Sequence, residues 1–255
     1  MIRCFFDTID STNAQAKLLI ENEANLPDIF SIITNNQTMG KGKLGSVWQS
    51  ATGNLYLSIV LKIGKYFELR ELGLLSILAS VSLREVLSDL LLVNNISNWQ
   101  ILSKWPNDIL VMGNKEDNQD FKAKISGILL EVAKNKKNED YLIVGIGVNL
   151  LSAPKINKYN TISLFDITSN KLNNLLFANK LEDKFLEYLQ NLQDNKINII
   201  EKFKQKLYGY QQEITIKVGD ILKTGVFTDI TKEGYLVLDI KGNKEIITAG
   251  EVFGF

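Results

Sequence analysis

Residues 38–48 read TMGKGKLGSVW, a glycine-rich loop between two segments with the pattern of β-strands. A phosphate-binding loop of the Walker type ends in Gly-Lys-Ser/Thr and opens a helix, and this segment lacks that ending. A dinucleotide-binding GxGxxG turn also opens a helix, whereas Trp48 and the apolar strand Asn54–Ile63 follow here. The loop therefore excludes both of these α/β folds and calls for a different one.

The glycine-rich loop has two possible purposes. Glycines let backbone N–H groups approach an anion closely, and Lys41 and Lys43 would supply mobile positive charge for a phosphate or carboxylate. Alternatively, the glycines only meet the geometry of an exposed hairpin turn. The loop taken alone leaves both possibilities open.

The spacing of apolar residues along the rest of the chain predicts helices and strands in mixed order. Asp10–Thr12 supplies N-cap chemistry for a first helix. A longer helix is expected within Leu69–Val93, a polar turn over Gly113–Asp120 and two helices within Lys171–Tyr208. The predicted strands, of which the last two form a hairpin, are Ile2–Ile9, Phe30–Thr34, Asn54–Ile63, Ile101–Trp105, Asp108–Met112, Lys122–Ala133 and Tyr141–Leu150.

The pattern changes after Gly209. Short alternating segments are separated there by turns at Gly219, Gly234 and Gly242, which predicts a small β-barrel. We therefore expect two domains, a larger one over residues 1–208 and a small all-β one over residues 209–255.

The chain contains no histidine among its 255 residues. This excludes histidine-based triads, zinc sites with histidine ligands and imidazole acid–base chemistry, and leaves positioning and charge as the means of any catalysis. Basic and acidic residues balance at 29 each, which argues against a surface built for nucleic acid. No signal peptide or membrane span is recognisable, and the single cysteine, Cys4, cannot form an internal disulfide. We expect a cytoplasmic protein.

Three further stretches have unusual patterns. Lys104 ends an apolar strand in KWPND, where it either projects into a cleft or lies on the surface with its stem packed. Gly127 interrupts the strand KISGILLE and signals close approach of backbone or ligand. The glycines of GIGVN, at Gly145–Asn149, would leave a flat surface for an adenine-like ring. Each stretch is weak evidence by itself.

In combination, these stretches resemble the biotin protein ligases. Five motifs occur in that family's order: DSTN at Asp10–Asn13, QTMGKGKLGSVW at Gln37–Trp48, then KWPND, KISGILLE and GIGVN. The resemblance covers nearly the whole chain, because the segment ending in TAGEVFGF is similar to the family's SH3-like domain. It implies an α+β fold, a mixed β-sheet covered by helices of the class II aminoacyl-tRNA synthetase and biotin ligase type, with a small C-terminal SH3-like β-barrel.

The resemblance implies an activity. Members use ATP and Mg²⁺ to attach biotin to a lysine of a biotin carboxyl carrier protein, the carrier domain of an acyl-CoA carboxylase, through biotinyl-5'-AMP. Lysines and backbone N–H groups with Mg²⁺ suffice for this chemistry without histidine. The alternatives are a lipoate protein ligase, whose fold and adenylation chemistry are related, and a non-catalytic module that binds biotin or a nucleotide.

The resemblance also implies site residues, while the metal ligands stay unknown. Lys104, Lys41 and Lys43 match catalytic positions, with Lys104 bridging the biotin carboxylate and the phosphate. The positions implied to contact biotin are Ser11, Thr12, Asn13, Gln37, Gly40, Lys41, Gly42, Lys43, Lys104 and Gly127. Those implied to contact the nucleotide are Trp48, Asn107, Asp108, Lys124 and Asn149.

Two features depart from the family's usual pattern. The loop carries Lys41, Lys43, Leu44 and Ser46 where relatives usually have GRGRxGR, and lysine lacks the planar bidentate fork of arginine. The chain also begins at the catalytic strand, with no helix-turn-helix segment before it, so no DNA-binding role is expected. We expect no membrane partner, and a homodimer is possible.

Overall fold

The computed structural model describes residues 1–114 and 120–253, and residues 115–119 of the predicted polar turn lie outside that range. Its larger part is built on a seven-stranded sheet of order β1-β2-β3-β7-β6-β5-β4. β1 and β2 run parallel, and all other neighbours run antiparallel. The strands are β1 (Ile2–Ile9), β2 (Ile29–Gln37), β3 (Leu55–Lys62), β4 (Trp99–Lys104), β5 (Asp108–Asn114), β6 (Asp120–Lys134) and β7 (Asp140–Val148). Every predicted strand is confirmed.

Helices cover both faces of this sheet. They are α1 (Thr12–Asn22), α2 (Leu72–Val93), α3 (Leu164–Thr168), α4 (Asn174–Gln190) and α5 (Leu192–Gln205). The sequence did not predict α3, because five residues are too few to show helical spacing. None of the described helices is both long enough and apolar enough to cross a membrane.

The central strand β3 shows why the sheet needs two helical layers. Leu57 and Ile59 face the large core that includes α2 and α4, while Val60 packs with Ala16 and Ile20 of α1 on the opposite face. All five side chains are fully buried, and each of the larger ones contributes about 1.5–3 kcal/mol by leaving water. The near-continuous apolar run of β3 follows from burial on both faces.

Helix α1 begins where the sequence predicted. The Oγ of Ser11 accepts a hydrogen bond of 3.0 Å from the backbone N–H of Ala14, which satisfies one of the N–H groups left unpaired at a helix start. The cap holds Thr12 and Asn13 in the first turn, and both are buried. The DSTN motif therefore presents its polar side chains from a fixed helix end.

A second sheet forms the C-terminal module. Its strands are β8 (Glu213–Val218), β9 (Ile221–Ile230), β10 (Leu236–Ile240), β11 (Asn243–Ile247) and β12 (Glu251–Val252). They are antiparallel in the order β11-β10-β9-β8-β12. The predicted α+β fold with a small all-β C-terminal part is confirmed, and the boundary between residues 208 and 209 stays a prediction.

Close contacts fix the C-terminal module against the larger sheet. The indole Nε1 of Trp105 donates a hydrogen bond of 3.0 Å to the carbonyl of Gly234. A Cβ on Gly234 would lie 2.4 Å from the carbonyl carbon of Gly73, at the start of α2. Only residues without a side chain permit so close an approach of two backbones. This packing brings the end of the C-terminal module to the cavity described next.

Candidate active site

A cavity of about 620 Å³ opens on the α1 face of the large sheet. The glycine-rich loop, the ends of β4 and β5, the middle of β6 and β7, the segment 155–159 and the end of the C-terminal module surround it. All of the predicted site residues line it except Gly40 and Asn149. Those that line it are Ser11, Thr12, Asn13, Gln37, Lys41, Gly42, Lys43, Trp48, Lys104, Asn107, Asp108, Lys124 and Gly127.

The glycine-rich loop closes on itself. The N–H of Gly42 donates to the carbonyl of Ser46 at 2.7 Å, and the N–H of Trp48 donates to the carbonyl of Gly40 at 2.9 Å. A Cβ on Gly40 would lie 2.4 Å from the Trp48 carbonyl oxygen, so Gly40 serves the turn and does not reach the cavity. The loop therefore serves both possible purposes: Gly40 and Gly42 form its turn, and Lys41, Gly42 and Lys43 line the cavity.

Lys43 joins the loop to the C-terminal module. Its Nζ donates a hydrogen bond of 3.1 Å to the backbone carbonyl of Gly250. Burial lowers the pKa of Lys43, and the carboxylates of Asp108 and Glu251 oppose that shift. The loop cation is therefore held inside the cavity by a carbonyl from the other module.

Lys104 is the most perturbed cation in the cavity. It ends β4, and only 3% of its surface is exposed. Burial lowers its pKa to about 8, with Asp108 and Glu251 opposing the shift and Lys124 adding to it. Because burial disfavours a charged ammonium, an anion that entered the cavity would be attracted to this group. The prediction that Lys104 projects into a cleft is confirmed, and the surface alternative is wrong.

Asp108 and Lys124 form an ion pair at the same end of the cavity. The Nζ of Lys124 lies 2.6 Å from Oδ1 of Asp108, and it also lies over the rings of Trp48 and Tyr159, 5.7 Å and 5.6 Å from their centroids. These are cation–π distances. Lys124 thus lies between one carboxylate and two aromatic faces.

A β-bulge places Lys124 on the cavity side of β6. Ile109 pairs with Ser126 and Leu110 pairs with Lys124, so Ile125 is the extra residue. Ile125 and Ile128 both belong to the large core on the opposite face, which a regular strand with a period of two does not allow for residues three apart. The bulge therefore sends Ile125 to the core and Lys124 to the cavity.

Two glycine-bearing strands form a shelf for Trp48. A Cβ on Gly147 would lie 2.6 Å from Cε2 of Trp48, and one on Gly127 would lie 3.0 Å from its Cζ3. Two residues earlier on β7, a Cβ on Gly145 would lie 2.2 Å from Oδ1 of Asn13. The surface that the sequence suggested for an adenine-like ring is therefore covered by protein side chains.

Two carboxamides line the end of the cavity formed by α1 and β2, each in a fixed orientation. Oε1 of Gln37 accepts the N–H of Thr12 at 2.9 Å, and its Nε2 donates to Ser50 at 3.1 Å. Oδ1 of Asn13 accepts from Ser58 at 2.6 Å. Amide orientation follows from such networks, so this end presents polar groups of defined polarity.

Asn149 does not reach the cavity. Its side chain is 2% exposed, and its Nδ2 donates to the carbonyl of Ile162 at 3.3 Å. Its backbone N–H donates to the carbonyl of Ile125 at 2.9 Å, and its own carbonyl accepts from the N–H of Leu164 at 2.9 Å. Asn149 therefore ties the end of β7 to the segment before α3, and its expected nucleotide contact is not supported by its position.

Several residues at the cavity were missed by the sequence analysis. Lys155, Lys158 and Tyr159 come from the segment between β7 and α3. Its sequence PKINKY contains two lysines and a tyrosine, which could have indicated a binding segment. Gly250 and Glu251 come from the C-terminal module. No local pattern marks them, because only the packing of two modules brings them here.

The cavity is not an all-protein metal site. Within residues 1–114 and 120–253, no group of three or more cysteines, aspartates and glutamates is placed to hold a metal ion. The acidic residues that line the cavity are Asp108, which is paired with Lys124, and Glu251. A divalent cation would need most of its ligands from a bound anion.

Two family models match the chain. One, described as "Biotin/lipoate A/B protein ligase family", matches residues 5–149. The other, described as "Biotin protein ligase C terminal domain", matches residues 212–253. Together they cover most of both sheets and all of the residues that line the cavity except the segment 155–159.

Relatives and solved structures agree with these models. The chain is 24% identical over 255 residues to the biotin–acetyl-CoA-carboxylase ligase of Mycobacterium tuberculosis, covering 95% of this chain and 85% of that protein. It is 26% identical over 251 residues to the protein of the same name from Paracoccus denitrificans, covering 96% and 97%. The structure of the biotin protein ligase from Aquifex aeolicus in complex with biotin and ATP is similar with a TM-score of 0.77 and 26% identity, covering 99% of this chain and 97% of that one.

Proposed function

The chain belongs to the biotin/lipoate A/B protein ligase family, and from that premise we propose that it is a biotin protein ligase that joins biotin to a lysine of a carrier protein at the expense of ATP. Relatives similar over nearly the whole chain are named biotin–acetyl-CoA-carboxylase ligases. A similar structure contains biotin and ATP. These support biotin and ATP as the ligands of the cavity.

The observation that carries the proposal is the presence of two chemically different groups of side chains in one cavity. Lys104, Lys43 and Lys124 provide positive charge, and the oriented amides of Gln37 and Asn13, from β2 and α1, line the same cavity. Biotin has a carboxylate at one end and a polar cyclic urea at the other. A ligand of that kind matches both groups of side chains at once.

In the first step, a carboxylate oxygen of biotin forms a bond to the α-phosphorus of ATP while the bond from that phosphorus to the bridging oxygen breaks. The products are biotinyl-5'-AMP and pyrophosphate. Two anions must meet, so the barrier falls when buried cations neutralise their charge. Lys104 is the group proposed to contact both. Its pKa of about 8 leaves it mostly protonated at neutral pH.

In the second step, the uncharged amine of the acceptor lysine attacks the acyl carbon of biotinyl-5'-AMP. An amide bond forms, the acyl–oxygen bond to AMP breaks, and the amine loses one proton to water. Lys43, held at Gly250, and Lys41 on the same loop would keep the adenylate in place until the acceptor arrives. Exclusion of water by this loop protects the anhydride from hydrolysis.

The cavity fits Mg²⁺ bound together with ATP. One or two carboxylates plus phosphate oxygens are the usual ligands of this ion, and Asp108 and Glu251 are the carboxylates that line the cavity. Bound there, the ion would neutralise phosphate charge.

A lipoate ligase is the second candidate, because the family model covers both activities. The match of residues 212–253 to the biotin protein ligase C-terminal domain favours biotin. So do the amides of Gln37 and Asn13, since the apolar dithiolane ring of lipoate offers them no hydrogen-bond partner. A non-catalytic binding module is the third candidate.

The acceptor, the assembly and the location of the protein stay predictions. We propose the carrier domain of an acyl-CoA carboxylase as the acceptor, on the strength of the names of the relatives. A homodimer, a cytoplasmic location and the absence of nucleic-acid and membrane partners belong to the same set of predictions.

The proposal is tested by incubating the purified chain with ATP, MgCl₂, biotin and a recombinant biotin carboxyl carrier domain, and weighing the carrier by mass spectrometry. We expect a gain of one biotinyl group that requires ATP. Parallel reactions replace biotin by lipoate, or the carrier by one whose acceptor lysine is arginine. A gain with lipoate alone would favour the second candidate, and binding of biotin without any gain would favour the third.

A further inference from the structure

The carboxamide of Asn13 is held by three protein groups at once. Its Nδ2 donates to Oε2 of Glu131 at 2.7 Å and lies 3.4 Å from the carbonyl of Leu129. Its Oδ1 accepts from Ser58 at 2.6 Å and lies directly over Gly145. Asn13 is 5% exposed, so these contacts leave it little freedom to move.

The chemistry of the partners decides which way the amide faces. An ionised carboxylate and a backbone carbonyl only accept hydrogen bonds, so Glu131 and Leu129 both require the NH₂ group on their side. The oxygen must then face Ser58, whose hydroxyl donates to it. Both N–H hydrogens are engaged on one side, and only a lone pair of Oδ1 is left for another group.

The carboxamide of Gln37 is held the other way round: its oxygen is engaged by the protein and one N–H is left. Its Oε1 accepts from the backbone of Thr12 at 2.9 Å and also lies 3.3 Å from the Thr12 hydroxyl, while its Nε2 donates one hydrogen to Ser50. One N–H of Gln37 is left for another group. This end of the cavity thus offers one acceptor and one donor, which complements a ring that carries both N–H and C=O groups.

From this network we infer that Glu131, assisted by Ser58, is a positioning residue that fixes the orientation of the Asn13 carboxamide and so sets the donor–acceptor pattern read by the cavity. The inference rests on the proposed function, because it takes the cyclic urea of biotin as the group that is read. Glu131 acts through Asn13. A site whose amide cannot turn rejects a ring with the reversed pattern, because a buried donor or acceptor would be left unpaired.

The first test compares Glu131→Gln with the wild type in the binding of biotin and of a cyclic carbamate analogue of biotin, in which an oxygen replaces one ring N–H. The glutamine side chain presents either oxygen or nitrogen, so Asn13 is free to turn. We expect the dissociation constant for biotin to rise about tenfold. The ratio of the two dissociation constants, carbamate analogue over biotin, should fall by about the same factor, because a turned Asn13 can donate to the ring oxygen. The dissociation constant for ATP, measured in parallel, should not change.

The chain offers a matched control for this substitution. Nδ2 of Asn135 donates to Oε2 of Glu139 at 2.8 Å, in the turn between β6 and β7, and neither residue lines the cavity. Glu139→Gln therefore breaks the same kind of amide–carboxylate contact elsewhere. It should leave both biotin binding and the discrimination ratio at their wild-type values.

A charge-swapped pair gives an independent test. Asn13→Asp alone places two carboxylates against each other and should weaken biotin binding strongly. Combining it with Glu131→Gln restores an amide-to-carboxylate hydrogen bond in the reversed direction, and the carboxylate introduced at position 13 still offers only acceptor oxygens. The double variant should recover most of the discrimination ratio, a non-additivity that independent structural damage would not produce.

The outcomes distinguish the positioning role of Glu131 from the proposed function. Equal weakening of biotin and the carbamate analogue in Glu131→Gln, or behaviour identical to Glu139→Gln, would overturn the inference and leave the proposed function standing. Absence of biotin binding by the wild type would overturn both. If Glu131→Gln does not fold, Ser58→Ala removes the donor on the other side of the amide and must lower the same ratio.

Discussion

Lys43 and Gly250, which are 207 residues apart in the sequence, meet at the cavity through a hydrogen bond of 3.1 Å from the lysine ammonium to the glycine carbonyl. The bond closes the glycine-rich loop against a different module. It also shows how this chain, which has a lysine at position 43, anchors its loop. A single carbonyl acceptor does not require the bidentate fork of a guanidinium.

Lys43→Ala should release the adenylate faster. The substitution removes both the contact to Gly250 and one cation beside the cavity, and a hydrogen bond from a charged group is worth about 1.5–3 kcal/mol. We therefore expect the dissociation rate of biotinyl-5'-AMP to rise at least about tenfold. The rate is measured by isolating the complex and following free adenylate by chromatography. Lys43→Arg keeps the charge and a donor and should stay close to wild type; an unchanged rate in Lys43→Ala would contradict the assignment.

Lys104→Ala should abolish formation of the adenylate. Loss of a preorganised charge at a developing transition state costs about 10²–10³-fold in rate, and Lys104 is the buried cation closest to full desolvation in the cavity. The measurement is biotin-dependent exchange of labelled pyrophosphate into ATP. Circular dichroism establishes that the fold is retained. Exchange at the wild-type rate in a folded variant would refute the role of this lysine.

Lys104→Met should stabilise the ligand-free protein at neutral pH. The pKa of Lys104 falls from 10.5 to about 8 on folding, so the unfolded chain binds its proton more tightly. Burial of the charged Lys104 therefore lowers the free energy of unfolding of the wild type. This destabilisation is fully present below pH 8 and disappears as the pH rises to about 10.5, and it amounts to at most about 3 kcal/mol. We expect the free energy of unfolding of the variant to exceed that of wild type below pH 8 and the two to converge above it.

Urea unfolding at several pH values measures this difference. The exposed Lys17, 3.8 Å from Glu21, provides a control, because Lys17→Met should produce no comparable pH-dependent gain. Equal stability of wild type and Lys104→Met at pH 7 would show that the cavity solvates this ammonium well. That result would also weaken the argument that Lys104 attracts anions by being poorly solvated.

Gly147→Ala should displace Trp48 from its shelf. The new methyl group would lie 2.6 Å from the indole ring, a separation that requires the ring or the strand to shift. We expect a changed tryptophan emission spectrum and a dissociation constant for ATP raised several-fold, measured by calorimetry. In a Trp48→Ala background the same substitution meets no ring, so its effect should largely vanish. An additive double variant would argue that Gly147 acts through the backbone alone.

Much of the site was predictable because many of its functional side chains lie in short segments with a recognisable local pattern. The capped helix after Ser11, the strand before Lys104 and the loop of Lys41 and Lys43 each combine a local pattern with a functional side chain. The residues that were missed act across the fold: Glu131 orients Asn13 from another strand, and Gly250 approaches Lys43 from another module. Asn149 is the opposite case: a local motif suggested a nucleotide contact, which stays a prediction, and the structure shows this residue joining two segments.

Because of the bulge at Ile125, the site depends on how many residues of β6 take part in regular pairing. Lys124 and Gly127 are an odd number of positions apart, and they reach the same face only because one position is left out of the pairing. A regular strand of the same length would turn Lys124 into the core and bring Ile125 to the cavity. A substitution that favours regular pairing at this point would therefore disable the site while every functional side chain is still present. In engineering this protein, the irregularity of β6 must be kept as strictly as the identities of the residues that line the cavity.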